Sequence, residues 1–274
     1  MTIHFSELHP ASVSSPTTAD AAAPRPVVLL HGGNVANWMW EPQLPALTDR
    51  LAITPHLPGF GARTAEPWPG LPAAADDIAA RIRSLAGGDP VDLVGLSLGG
   101  VLALHLAARH PDLVASVLTS GAAVERVGGM ARATSALQLA LWEQRWFWKA
   151  QAVAFGLPED SHEPYVEHGL SVRRETARAM LAEVYAGGVP SGLGAVRARM
   201  LLVAGEREPR VMRRSLETLR RTVPHAATRI APGMHHIWNV EDAAHWNEML
   251  RDWLDGHVHD WLAPAEPRGA GLRD

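Results

Sequence analysis

The chain has 274 residues, 47% of them hydrophobic and 20% charged, with a formal net charge of −4. That composition suits one mid-sized folded unit with a substantial buried core, with or without an insertion. No long run of like charge gives an electrostatic footprint for nucleic acid or an anionic membrane. The complete lack of cysteine excludes disulfides, thiolate metal sites and cysteine nucleophiles.

The N-terminal stretch MTIHFSELHPASVSS has no basic start followed by an apolar run, so no secretory signal is expected. No window approaches the roughly 18 uninterrupted apolar residues of a membrane span. A cytoplasmic, non-membrane protein is the expectation. Residues 11–26 are rich in Ala, Ser, Thr and Pro and predict a flexible loop. Val27–Leu30 is then a short apolar, β-prone run ended by His31-Gly32-Gly33. Runs of the same kind recur at Leu51–Thr54, Val91–Leu96, Val114–Leu118 and Met200–Ala204. Each is continuously apolar rather than alternating, which predicts strands covered on both faces of a parallel sheet.

Helical segments lie between them. Asp76–Leu85 places Ile78, Ile82 and Leu85 at helical spacing before Gly87-Gly88, a helix stop. Leu98–Arg109 is rich in Ala and Leu and ends at His110-Pro111. Val211–Val223 carries Leu216 and Leu219 among arginines, a surface helix with one buried stripe. Asp242–Leu254 closes the series with Trp246, Met249, Leu250 and Trp253. Alternating strand and helix predicts a doubly wound, mostly parallel α/β sheet with right-handed crossovers. The alternation fails between about Val124 and Leu193, where the sequence reads as helices alone, Met130–Phe155 and then Ser171–Tyr185. An all-helical insertion there predicts a lid over the carboxyl ends of the strands. The expected division is therefore core at 1–123, helical lid at 124–194, core again at 195–262 and a disordered tail at 263–274.

The sharpest motif is Gly95-Leu96-Ser97-Leu98-Gly99, followed by Gly100, where the buried run VDLVGL meets the Ala-rich helix. In that context G-x-S-x-G is a nucleophile turn. A tight strand-to-helix turn lifts the serine hydroxyl out of the sheet, and glycines on either side remove side chains that would clash. The amide of Leu98 then lies at a helix N-terminus, ready to donate to an oxyanion. A serine at its ordinary pKa needs a base, and the base needs an orienting acid; for this arrangement the chain order is serine, acid, histidine. The candidate base lies in Pro232-Gly233-Met234-His235-His236-Ile237-Trp238, with His236 and His235 both open. The acid should follow the strand Met200–Ala204, in Gly205-Glu206-Arg207-Glu208-Pro209. Glu208, just before the Pro that opens the next helix, is better placed than Glu206. His31-Gly32-Gly33-Asn34 ends the first buried run, and its Gly33 amide is the candidate second oxyanion donor. His31 itself is expected to brace the loop.

HGG after the first long strand, GLSLGG, AGEREP and GMHHIWN, in that order, resemble the α/β-hydrolase superfamily over roughly residues 26–123 and 195–256. In such proteins the base histidine commonly follows a Gly and precedes a final helix. The resemblance therefore favours His236, with His235 in the place of that Gly and Trp238 on a loop facing the lid. The acid of such proteins is usually Asp, so Glu208 is a departure. Haloalkane dehalogenases and epoxide hydrolases of this fold carry Asp at the nucleophile position, and Ser97 argues against both. The resemblance implies a carboxylesterase-like hydrolase; the expectation is a cofactor-independent enzyme that cleaves an ester-like acyl bond of a small, apolar substrate through Ser97, His236 and Glu208. Lactonases, thioesterases, C–C bond hydrolases, perhydrolase-like enzymes and hydroxynitrile lyases also share this pattern, and some hormone receptors keep the fold as non-enzymatic binding proteins.

Ten Trp stand against two Tyr and four Phe. Trp142, Trp146, Phe147 and Trp148 cluster in the expected lid, and Trp38 and Trp40 follow the HGG loop. They either wall a pocket for an apolar acyl group or dock the lid on the core. The expected substrate contacts are Asn34, Trp38, Trp142, Trp146 and Trp238, with Trp142 and Trp146 one helical turn apart on a shared face. His257-x-His259 and His235-His236 lack a further ligand at metal-binding spacing, so no metal is expected. No G-x-G-x-x-G or P-loop is present, so no nucleotide cofactor is expected. The oligomeric state is left open.

Overall fold

A computed structural model describes residues 6–12, 24–128 and 136–265. Eight strands form one sheet in the order β1-β3-β2-β4-β5-β6-β7-β8. They are β1 (Leu8–His9), β2 (Val27–Leu30), β3 (Ala52–Ile53), β4 (Val91–Leu96), β5 (Val114–Ser120), β6 (Arg199–Gly205), β7 (Ala227–Ala231) and β8 (Ala263–Pro264). The central strands pair in parallel, and only the two edges are antiparallel, β1 on β3 and β8 on β7. Every residue of β2 and β4 is buried, which is why their sequences do not alternate; the one charged residue, Asp92 of β4, accepts from Ser116 Oγ at 2.6 Å.

The helices are α1 (Leu71–Leu85), α2 (Leu98–Arg109), α3 (Arg145–Ala154), α4 (Glu159–Ser171), α5 (Arg174–Ala186), α6 (Arg210–Thr222), α7 (Trp238–Glu241) and α8 (Ala243–Leu254). α2 packs against β2, β4, β5 and α1 and buries residues around most of its circumference, from Leu98 through Ala107. Its Ala and Leu content fits a helix with no wet face. α6 is the opposite case: it buries only Ser215, Leu216 and Leu219, and its arginines face water. Asp242 caps α8 by accepting from the His245 amide at 3.2 Å.

Several boundaries differ from expectation. α1 starts five residues before Asp76, because Gly70 at φ 95 turns the chain and Pro72 opens the first turn, a position where Pro costs no hydrogen bond. The two edge strands, each two residues long, carry too little sequence to show a period. β8 also corrects the expected tail, since Ala263 and Pro264 pair with Ile230 and Arg229; residues 266–274 lie outside the described residues, as do 13–23 of the expected flexible loop. Between β5 and β6 the described chain is helical, but not as one helix from Met130 to Phe155. Residues 136–140 are helical, 141–144 form a turn, and α3 starts at Arg145. α4 was not anticipated, because Pro164 inside it reads as a helix breaker. Among the described residues no helix is long and apolar enough to cross a membrane.

Candidate active site

The carboxyl ends of the parallel strands gather the chemically interesting residues on one edge, as expected for a doubly wound sheet. β4 ends at Leu96, and Ser97 takes φ 56 and ψ −117 before α2 begins. A positive φ on a residue with a Cβ is strained backbone, held here by surrounding structure. The Ser97 amide donates to the Ser120 carbonyl at 2.8 Å, and the Val101 amide donates to the Ser97 carbonyl at 3.0 Å. The flanking glycines are required by contact. A Cβ on Gly95 would stand 2.3 Å from the Gly99 carbonyl oxygen, and one on Gly99 would stand 2.0 Å from that of Leu30. The Leu98 amide opens α2, where the helix leaves its first N–H groups unpaired.

The loops after β6 and β7 are stitched together. The Glu206 amide donates to the Ala231 carbonyl at 3.0 Å and the Arg207 amide to the Met234 carbonyl at 2.9 Å. This brings Glu208 to His236: Oε1 accepts from the imidazole Nδ1, and Oε2 accepts from the Gly205 amide at 2.7 Å. The Glu208 side chain is 1% exposed and that of His236 18%. A carboxylate only accepts, so it fixes the neutral imidazole with the proton on Nδ1 and a lone pair on Nε2. The neighbouring candidates are engaged elsewhere. His235 donates from Nδ1 to Glu241 Oε1 at 2.7 Å, and its backbone amide to Oε2 at 2.9 Å. Glu206 accepts from the Gly233 amide at 2.7 Å.

Ser97 and the His236–Glu208 pair both adjoin the end of β5. Ser120 carries the carbonyl that holds the Ser97 amide, and the next residue, Gly121 at φ 63, lies directly against the pair. An added Cβ there would stand 2.8 Å from His236 Cε1 and 2.9 Å from Glu208 Oε1. Gly121 went unremarked in the sequence; the signal available was a Ser-Gly ending to a buried strand.

The turn after β2 is braced by His31, which is fully buried. The Leu57 amide donates to its Nε2 at 3.1 Å, so Nδ1 carries the proton and donates to the Gly32 carbonyl at 2.8 Å. Burial, with His168 and His56 adding to it, pushes the His31 pKa down to about 3. Gly33 lies under α5: a Cβ there would stand 3.0 Å from Met180 Cε and 3.9 Å from Leu98 Cβ. Gly33 thus neighbours both Met180 and Leu98. Asn34 has φ 64, and its Oδ1 is buried without a hydrogen-bond partner.

The tryptophans separate. Trp142 is buried, donates from Nε1 to the Val172 carbonyl at 2.9 Å and packs edge-on against Trp148. Trp146 is 58% exposed. They do not share a helix face, because Trp142 precedes α3 in a turn. Trp238 is fully buried, donates from Nε1 to Ser120 Oγ at 2.8 Å and packs on Trp246 and Trp261; it points into the core rather than toward the inserted helices. Trp38 is partly buried against the core, and Phe155, just after α3, stands 6.0 Å from the His236 ring. Among the described residues no group of three or more His, Asp or Glu side chains could hold a metal ion.

A model of the alpha/beta hydrolase family matches residues 27–248. The chain is 43% identical over 99 residues to a pimeloyl-[acyl-carrier protein] methyl ester esterase of Neisseria meningitidis serogroup C, covering 35% of this chain and 36% of that protein. It is 32% identical over 179 residues to the protein of the same name from Chromobacterium violaceum, covering 61% of this chain and 63% of that one. The match thus spans about a third of the first relative's length and under two thirds of the second's. A bromoperoxidase from Bacillus anthracis shares the fold, with a TM-score of 0.75 and 20% identity over 84% of this chain and 92% of that one.

Proposed function

The chain belongs to the alpha/beta hydrolase family, and from that membership and the site's geometry we propose that it is a serine hydrolase of carboxylic esters. Ser97 Oγ attacks the acyl carbonyl while His236 Nε2 takes its proton. Glu208 holds the imidazole by Nδ1 and stabilises the imidazolium as it forms. The Leu98 and Gly33 amides hold the tetrahedral oxyanion. His236 returns the proton to the departing alcohol, leaving an acyl group on Ser97. A water molecule, deprotonated by His236, then attacks that ester and releases the acid with Ser97 restored. No cofactor enters this cycle.

The observation that carries the reading is the joint placement at the end of β5, where Ser97 hangs from the Ser120 carbonyl and the His236–Glu208 pair rests on Gly121. Glu serves here in place of Asp because its longer chain still reaches Nδ1 while its second oxygen is held by the Gly205 amide. The helices between β5 and β6 serve as the lid, with Met180 over Gly33 and Phe155 beside His236. Asn34 and Trp38, beside the oxyanion loop, are the remaining proposed substrate contacts. The relatives' names favour an ester at the end of an aliphatic chain, matching the apolar side chains around the site.

The test is hydrolysis of a chain-length series of p-nitrophenyl esters, with labelling by a fluorophosphonate probe. Wild type should turn over and label; Ser97→Ala should do neither, and His236→Ala should lose orders of magnitude in kcat. Equal labelling of Ser97→Ala and wild type would refute the assignment.

A further inference from the structure

α2 and α5 each send residues to the oxyanion loop and to a second cleft. Leu98, the first residue of α2, and Met180, in the middle of α5, both stand close to Gly33. Val101 and His105, one and two turns beyond Leu98, and Glu183 and Val184, one turn beyond Met180, line a cleft of about 300 Å³ with Leu71 at the start of α1 and the strap 187–191. Val101 is the residue whose amide bonds the Ser97 carbonyl, so the cleft begins one helical turn from the serine. His105 lies eight residues from Ser97, about 12 Å along a helix axis. A small, mainly apolar cavity with a few convergent polar groups is the ordinary form of a ligand site.

The polar groups in it are built. Glu183 Oε2 accepts from the Trp68 indole at 2.7 Å and from the Leu71 amide at 3.0 Å. Those bonds tie α5 to the start of α1 and fix the carboxylate, whose Oε1 lies near Gly70. Opposite stands His105, partly buried and neutral, its pKa lowered by burial. The cation that acts on it, Arg109, is held away by both oxygens of Asp76, at 2.8 and 2.6 Å. Among the described residues that line it, the cleft therefore presents a fixed carboxylate and a neutral imidazole and no lysine or arginine.

We propose that this cleft takes the non-reacting arm of the substrate, and that Glu183 selects an apolar arm ending in a hydrogen-bond donor over one ending in a free carboxylate. The donor class is a hydroxyl, an amide N–H or an amine. A second carboxylate brought to Glu183 would meet like-charge repulsion in a partly desolvated space, whereas a donor meets an oxygen already oriented by its backbone partner. The proposal rests on the reading of Ser97 as the nucleophile.

The test uses full-length Ser97→Ala, which removes turnover, and isothermal titration with three methyl esters of equal chain length ending in ammonium, hydroxyl and carboxylate groups. The ammonium and hydroxyl esters should bind at least tenfold more tightly than the carboxylate ester. Adding Glu183→Gln should erase most of that preference. Ala123→Phe, which fills the cleft, should weaken all three and covers the case in which Glu183→Gln fails to fold. Equal affinities, tighter binding of the carboxylate ester, or a preference untouched by Glu183→Gln would overturn the proposal. Wild-type hydrolysis of the same esters reports separately on the hydrolase reading. Absent turnover would sink that reading and with it the bound group as a substrate arm, whereas turnover without the binding preference would sink only the role of Glu183.

Discussion

Adding one methyl group at Gly121 should disable the site while leaving the fold in place. The Cβ of Gly121→Ala would stand 2.8 Å from His236 Cε1 and 2.9 Å from Glu208 Oε1, against a lower limit near 3.4 Å for ordinary contact, so the pair must retreat by about 0.6 Å. Both side chains are packed, and Glu208 is also held by the Gly205 amide, so the displacement falls on the imidazole's approach to Ser97. A misplacement approaching 1 Å costs about 10²-fold in rate, and kcat should fall ten- to a hundredfold with KM little changed. The backbone adds its own cost: Ala at φ 63 loses about 1–2 kcal/mol relative to Gly, a melting shift of roughly 2–8 °C for a chain of this size. The assay is ester hydrolysis at a temperature well below the melting transition, with circular dichroism to verify the fold. Wild-type kcat in a folded Gly121→Ala protein would refute the claim that Gly121 sets the position of the His236–Glu208 pair.

Three further outcomes follow from the same geometry. Ser97→Gly removes the hydroxyl and relieves the strained φ of 56, so activity should vanish while stability rises by about 1 kcal/mol; a less stable variant in urea titration would show the turn to be unstrained. Glu208→Gln keeps an acceptor for the Gly205 amide but turns an N–H toward Nδ1 or forces the wrong tautomer, so kcat should drop by about 10³–10⁴ with a small change in stability; Glu206→Gln, away from the imidazole, should retain most activity in the same assay. Stability should also fall on mild acidification. Burial holds His31 near a pKa of about 3 and His168 near about 4, so from pH 6.5 downward the unfolded chain binds protons that the native state refuses. The stability these groups contribute is complete above pH 6.5 and is lost progressively toward pH 4. The urea midpoint should fall steadily across that window, and His168→Leu should reduce the slope; a midpoint flat from pH 7 to 5 would contradict it.

Sequence alone determined the central architecture and the location of the chemistry. Parallel strands covered on both faces must be continuously apolar, so β2, β4 and β6 were legible as such, and a glycine-flanked serine between a buried strand and an Ala-rich helix has few other uses. The order of Ser97, the Glu206/Glu208 loop and the His235/His236 loop was equally plain, because each follows a recognisable strand. Between neighbours of identical chemistry the sequence offered only a preference, Glu208 by its place before Pro209 and His236 by resemblance. Two histidines adjacent in the chain, and two glutamates two residues apart, have the same local propensities. Only the hydrogen bonds stitching the β6 and β7 loops turn His236 toward Glu208 and His235 toward Glu241. Gly121 belongs to the same class, since its need for a bare Cα comes from side chains 87 and 115 positions away. The two-residue edge strands carry no period to read, and Pro164 disguised α4 by a local rule that the packing overrides. The tryptophans make the point most simply: spacing put Trp142 and Trp146 on one face, and the turn at 141–144 sent one into the core and the other into solvent. Local pattern fixes which segments are strands and helices and where polar groups emerge; contacts between distant segments fix which of those groups meet.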